Sequence, residues 1–268
     1  DSSMVEVFNA QKQEANHEFT KFVTTNYKTW VNGTPGATVP VMSHTLLSQK
    51  LLPMLKEDKS TFIILIDNLR FDQWKSIQPL VMEYFKVEEE DSFYSILPTA
   101  TQYSRNSIFS GMLPLQIQEK YPDLWKYDDE EGSKNQNEGK FLEDYLKRTF
   151  HEPIKSQYVK ITNHRDGELL ESNITNYLNN KLTAIVYNFV DMLSHARTEM
   201  EVLKELASDE AAYRSLSVSW FDHSPLLNAM KKLAEKDVNI LLTTDHGTVR
   251  VQDPSKCIGD RETTANIR

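Results

Sequence analysis

From Met4 to Trp30 the chain contains no Gly or Pro, and apolar side chains recur at Met4, Phe8, Ala15, Phe19, Phe22, Val23 and Trp30. That spacing predicts one long amphipathic helix. Its apolar stripe is thin, with Gln11 and Lys12 in the middle, so the helix is expected to dock on something else and not to form a domain alone. Asn32-Gly33-Thr34-Pro35-Gly36 ends it, and a second helix is expected from Ser43 to about Leu55. Residues 1–40 therefore read as a helical appendage ahead of a domain over 41–268.

Beyond it two patterns alternate. Apolar runs suited to strands lie at 61–67 (TFIILID), 92–98 (SFYSILP), 156–162, 183–191 and 238–245. Helical patterns lie between them near 71–85, 102–110, 141–149, 199–215 and 225–236, the last with Leu226, Met230 and Leu233 on one face. This predicts an α/β fold with a largely parallel sheet flanked by helices. The stretch from Lys126 to Lys140 is polar and contains Gly, so it is expected to be a surface loop.

Composition narrows the class. Of 268 residues, 39% are hydrophobic and 26% charged, a globular balance that excludes disorder. The formal charge of -9 argues against a protein that wraps DNA or sits on anionic lipid, and any anionic substrate needs a local positive centre. Cys257 is the sole cysteine, so no internal disulfide forms, which suits a cytoplasmic location. Runs such as Phe62 to Ile66 fall far short of a membrane span of roughly 20 residues, and no signal peptide is visible. The chain does not begin with Met, which fits a fragment.

In an open α/β sheet, ligands bind outside the carboxyl ends of the strands. Three predicted strands end in Asp67, Asp191 and Asp245, with His195 four residues after Asp191 and His246 next to Asp245. Oxygen and imidazole donors together suit zinc, with manganese as second choice. An Asp at a strand end is often only a helix cap; three of them, two with a His partner, favour the metal reading. Asp191 and His195 share a helix face and either grip one ion or form a surface salt bridge. In TTDHGT (243–248) the adjacent Asp and His are exposed by the turn or simply build it. PTATQYSRNSIFSG (98–111) puts a Thr-rich turn before a helix, where an anion is favoured and a metal would turn a hydroxyl into a nucleophile. Taken alone, Thr99, Thr101 and Ser104 read as caps. Arg105 is a candidate phosphoryl contact, although its helical setting reads more simply as a solvent-exposed arginine. His17, His44, His151 and His164 and the runs Glu88–Asp91 and Asp128–Glu131 read as structural or solvated. A metal-free α/β hydrolase is disfavoured by the lack of a G-x-S-x-G turn.

Taken in order, IDNLRFDQW (66–74), PTATQYSRNSIFSG (98–111), VDMLSH (190–195) and TTDHGT (243–248) resemble the alkaline phosphatase superfamily in its PglZ-domain branch. The chain is similar over about 41–268 to the effector region of PorX-type response regulators, which control type IX secretion in Bacteroidetes. The resemblance implies two zinc ions: one on Asp67, Asp245, His246 and the nucleophile Thr101, the other on Asp191 and His195. The superfamily's second metal takes a further His in a His-Gly context near the C-terminus. The chain ends at Arg268 before such a segment and His223 sits in an unlike Asp-His-Ser-Pro turn, so the second site is expected to be incomplete and the domain truncated.

The resemblance further implies an N-terminal receiver domain answering to a sensor kinase, with the helix at 4–30 as linker, a homodimer, and a transcription-factor partner. The expected function is a zinc-dependent phosphodiesterase on nucleotide or oligonucleotide substrates. The rival is a regulatory protein-interaction module whose metal site is structural or vestigial.

Overall fold

The apolar runs near 61, 156, 183 and 238 pair into one parallel sheet. The computed structural model of the chain describes residues 2–33, 36–126 and 135–249; Cys257 and the run Asp128–Glu131 lie outside these. Two compact units are present, Asp1–Val41 and Met42–Arg268.

The first unit is built on α1 (Ser2–Asn32), about 46 Å long at the helical rise. Met4, Val5, Val7, Phe8, Phe19 and Phe22 are exposed on it, and the rings of Phe22 and Trp30 meet at 5.6 Å.

In the second unit, the helix expected over 43–55 is broken into a 3-10 turn (Ser43–Thr45), a π turn (Leu47–Leu51) and α2 (Leu52–Leu55). Pro53 explains the break: proline has no N–H to continue the ladder, and Leu52 just before it donates to the Leu47 carbonyl, a five-residue step. Then come β1 (Ser60–Ile66), α3 (Phe71–Met82), α4 (Thr101–Ser110), α5 (Pro114–Lys120), α6 (Glu138–Thr149) and β2 (Ser156–Ile161). They are followed by α7 (His164–Asn173), a 3-10 helix (Ile174–Asn179), β3 (Leu182–Tyr187), α8 (Phe189–Glu199), α9 (Glu201–Leu206), α10 (Glu210–Asp222), α11 (Pro225–Ala234) and β4 (Val238–Thr243).

The strand order is β2-β3-β1-β4, all parallel. β1 is buried along its apolar length, as expected of a central strand covered on both faces. Phe62, Ile64 and Ile66 on one face pack with Ile77 and Val81 of α3, Leu170 of α7, Phe221 of α10 and Leu226, Met230 and Leu233 of α11. Ile63 and Leu65 alternate to the other side. There α6 lies against β2 and α4 packs on α6.

Four further expectations need correction. Residues 92–98 are not a strand: they make only an isolated bridge, Tyr94 to Met42. Their backbone is taken up elsewhere, with the Ser43 N–H on the Tyr94 carbonyl (3.1 Å) and the Ile96 N–H on Ser43 Oγ (3.0 Å). The strand expected over 183–191 stops at Tyr187, so Asp191 lies in the first turn of α8. The helix expected over 199–215 is divided among α8, α9 and α10, with a break at Met200. The loop expected up to Lys140 ends early, because α6 begins at Glu138 and that side chain is fully buried. Among the described residues no helix is long and apolar enough to cross a membrane.

Because Ile64 is wholly buried in the central strand, Ile64→Ala is expected to cost about 3 kcal/mol. Urea unfolding should show this as a lower midpoint at unchanged slope.

Candidate metal centre

The sheet register builds the site. β1 and β4 are paired up to Leu65 opposite Thr243, and two residues further on both chains reach an aspartate, Asp67 and Asp245. Asp67 still donates its N–H to the Tyr187 carbonyl at 2.9 Å, so it is fixed by the sheet although it lies past β1. Both carboxylates are buried, at 1% and 0% exposure. His246 follows directly, its Nε2 3.6 Å from Asp67 Oδ1 and 3.9 Å from Asp245 Oδ2. One ligand atom from each of the three lies within 4.8 Å of the others.

Thr101 completes the group. It is the first residue of α4, after an extended Ala100, and its Oγ1 is 2.9 Å from His246 Nε2 and donates to Asp67 Oδ1 at 3.5 Å. The hydroxyl therefore faces the cluster and not a backbone cap. Ser104 turns away and donates to the Ala100 carbonyl at 3.0 Å.

Local hydrogen bonds hold the acidic loop. Asp245 Oδ1 accepts from the N–H groups of His246 (2.9 Å) and Asn68 (3.2 Å). Ser95 Oγ donates to the Asp245 carbonyl at 2.9 Å, and Thr244 Oγ1 to the His246 carbonyl at 2.8 Å. Asn68 has a left-handed backbone, φ 61°, a conformation that Asn tolerates better than most residues. Asp245 Oδ2 is buried and has no hydrogen-bond partner among the described residues. Burial, then the nearby charge of Asp67, pushes the Asp245 carboxyl up to about 7.

Asp191 and His195 also meet, one turn apart on α8, with His195 Nε2 3.4 Å from Asp191 Oδ2. Asn68 Nδ2 donates to Asp191 Oδ1 at 3.3 Å and so ties this pair to the first cluster. Burial, then the charge of Asp67, raises the Asp191 carboxyl above its ordinary value. His223 is elsewhere: its Nδ1 lies 2.9 Å from the Ser219 carbonyl at the end of α10.

Arg105 departs most from its expected setting. It is 1% exposed, and its guanidinium donates to Asp67 Oδ2 (3.0 Å), Asn188 Oδ1 (3.3 Å) and Glu138 Oε1 (2.5 Å). A helical arginine is expected to face solvent, but α4 buries all of Ser104 to Ser110. Burial alone would lower the arginine pKa; Glu138 and Asp67 more than reverse this and keep it firmly cationic. Glu138 also accepts from the Tyr158 hydroxyl and lies 3.5 Å from Lys160 Nζ. Asn68, Glu138 and Asn188 were not visible as site residues in the sequence. Asn68 had a signal, being next to Asp67 inside a motif, whereas Glu138 had none.

The BREX system PglZ alkaline phosphatase-like domain matches residues 46–267, and the PorX response regulator linker domain matches residues 1–31. No curated protein matches the chain. The two matches together describe a phosphoesterase-like effector of a response regulator. With the first match covering most of its length, the chain belongs to the PglZ alkaline phosphatase-like domain family.

Proposed function

We propose that the chain is a zinc-dependent phosphoesterase that cleaves nucleotide-type phosphodiesters with Thr101 as nucleophile. The observation that carries this reading is the Thr101 hydroxyl at the start of α4, facing His246 and Asp67. The residues present suit a divalent ion: two buried carboxylates and an imidazole converge, and Asp245 Oδ2 is an orphaned buried oxygen. Such an oxygen is costly unless something positive satisfies it.

Asp67, Asp245, His246 and Thr101 would hold one ion, and Asp191 with His195 would contribute to a second. Oxygen and imidazole donors favour zinc, with manganese as the alternative. When bound, the metal supplies the local positive field that a chain of charge -9 lacks and eases loss of the Thr101 proton. The chain's own residues do the rest. The N-terminal end of α4 favours negative charge beside Thr101. Thr101 Oγ1 bonds to phosphorus as the bond to the leaving alcohol breaks, and water then hydrolyses the phosphothreonine ester and restores the hydroxyl. The diester is thus converted to a monoester and an alcohol.

In the whole protein, residues 1–40 would serve as linker between a receiver domain addressed by a sensor kinase and the effector at 41–268. The output would act from the cytoplasm on type IX secretion, with dimerisation and a transcription-factor partner. One observation favours the rival interaction module: among the described residues the second cluster offers only Asp191 and His195.

Thr101→Ala is expected to keep zinc by elemental mass spectrometry while hydrolysis of bis(p-nitrophenyl) phosphate falls about 10³-fold or more. Asp67→Ala should lose metal and turnover together; a zinc-loaded, active Asp67→Ala protein would remove the assignment. In full-length protein, unchanged signalling by Thr101→Ala despite lost hydrolysis would favour the interaction module.

The Asp245 carboxyl gives a second test. Its folded pKa of about 7 exceeds the ordinary 3.8, so the folded metal-free protein holds a proton that the unfolded chain releases. Stability without metal should therefore fall as pH rises from about 4 to about 7. Asp245→Asn should flatten this dependence, unfold at higher urea than the parent at pH 8, and take up no zinc.

A further inference from the structure

We propose that Arg105 and Glu138 are positioning residues for the metal centre: a buried ion pair that aims one oxygen of Asp67 at the ion and cancels the charge of the guanidinium that does so. The inference rests on the metal reading given above and adds to it two residues placed behind Asp67.

The two oxygens of Asp67 have different duties. Oδ2 accepts from the Arg105 guanidinium at 3.0 Å, while Oδ1 faces Thr101 at 3.5 Å and His246 at 3.6 Å. With Oδ2 held, the carboxylate cannot rotate, and one oxygen is left for the cluster. Arg105 is itself fixed to the sheet. The same terminal nitrogen donates to Asn188 Oδ1 at 3.3 Å, and the β1–β3 register, Ile66 opposite Tyr187, sets Asn188 beside Asp67. Partners behind the ligands of a metal are known to set ligand direction in this way.

An arginine alone would oppose its own purpose. A full positive charge in a buried place 3.0 Å from a ligand carboxylate repels a divalent ion, and low polarity strengthens the repulsion. Glu138 answers this. Its Oε1 lies 2.5 Å from Arg105 Nε, and the Tyr158 hydroxyl and Lys160 Nζ hold its other oxygen from β2. Arg105 is 1% and Glu138 0% exposed. A pair so buried is a weak source of stability, because desolvation offsets most of the attraction. Orientation and charge balance at Asp67 give it a reason to exist.

The test compares the whole chain with Glu138→Gln, Arg105→Lys and the double variant Arg105→Met/Glu138→Met, using zinc as probe in chelator competition and cobalt as probe in visible spectra. Glu138→Gln should bind zinc about 10-fold or more weakly, since the guanidinium is then unbalanced. The double variant should recover most of that affinity, because both charges are gone, yet show an altered cobalt spectrum and a lowered kcat, because Asp67 is no longer aimed. Arg105→Lys should keep affinity better than Glu138→Gln and also change the spectrum. A merely structural pair would lower melting temperature in each variant and leave zinc affinity and cobalt spectrum at parent values in the folded protein; that result overturns the inference. Should Glu138→Gln fail to fold, a parent-like cobalt spectrum in the double variant overturns it equally. If the parent chain takes up no zinc, the metal reading itself falls and this inference with it, an outcome distinct from a zinc-binding parent with indifferent variants.

Discussion

Two buried carboxylates forced together govern this structure. Parallel pairing of β1 with β4 puts Asp67 and Asp245 side by side just past the last rungs of the ladder, both buried. Like charges in a place of low polarity are costly, and the chain compensates only in part. Arg105 takes one oxygen of Asp67, and two backbone N–H groups take one oxygen of Asp245. What is left, Asp67 Oδ1 and Asp245 Oδ2, points to the same small volume as His246 and Thr101. A raised Asp245 pKa is the electrostatic sign of that incomplete compensation. Strain of this kind is where functional sites are found.

The surrounding fold follows from keeping that volume in place. Asp67 and Asp245 are far apart in sequence, and the sheet alone brings them together, so rigidity of β1 is rigidity of the site. Residues 92–98 matter for the same reason, although they are not a strand. Through Ser43 and Ser95 they are tied to the chain before β1 and to the Asp245 carbonyl, and they deliver Thr101 to the start of α4. A strand there would have used those backbone groups on a neighbour and would have lost the turn.

The sequence carried the strands well where burial is continuous. TFIILID and TAIVY need no alternation because both faces are covered, and they are β-branched enough to exclude helix. Of the three acidic strand ends it pointed to, Asp67 and Asp245 do lie just past their strands, whereas Asp191 lies in the first turn of a helix. It failed where local polarity and real burial part company. TQYSRNSIFS reads as surface, yet α4 is wrapped on nearly every side, and only tertiary packing decides that. Glu138, in a polar stretch, looked solvated for the same reason. No local pattern announces that a glutamate will meet an arginine 33 residues earlier.

The two histidine-bearing clusters differ in how they are held. Asp67, Asp245 and His246 are fixed by backbone: a sheet hydrogen bond, two amides on Asp245, and the Thr244 hydroxyl on the His246 carbonyl. Asp191 and His195 stand on one face of α8, where Asn68 Nδ2 donates to Asp191 Oδ1, and the His195 side chain is 43% exposed. Asn68 is thus the link between the two clusters. Its left-handed backbone turns the amide to Asp245 while its side chain reaches Asp191, so one residue sets the spacing of the two clusters.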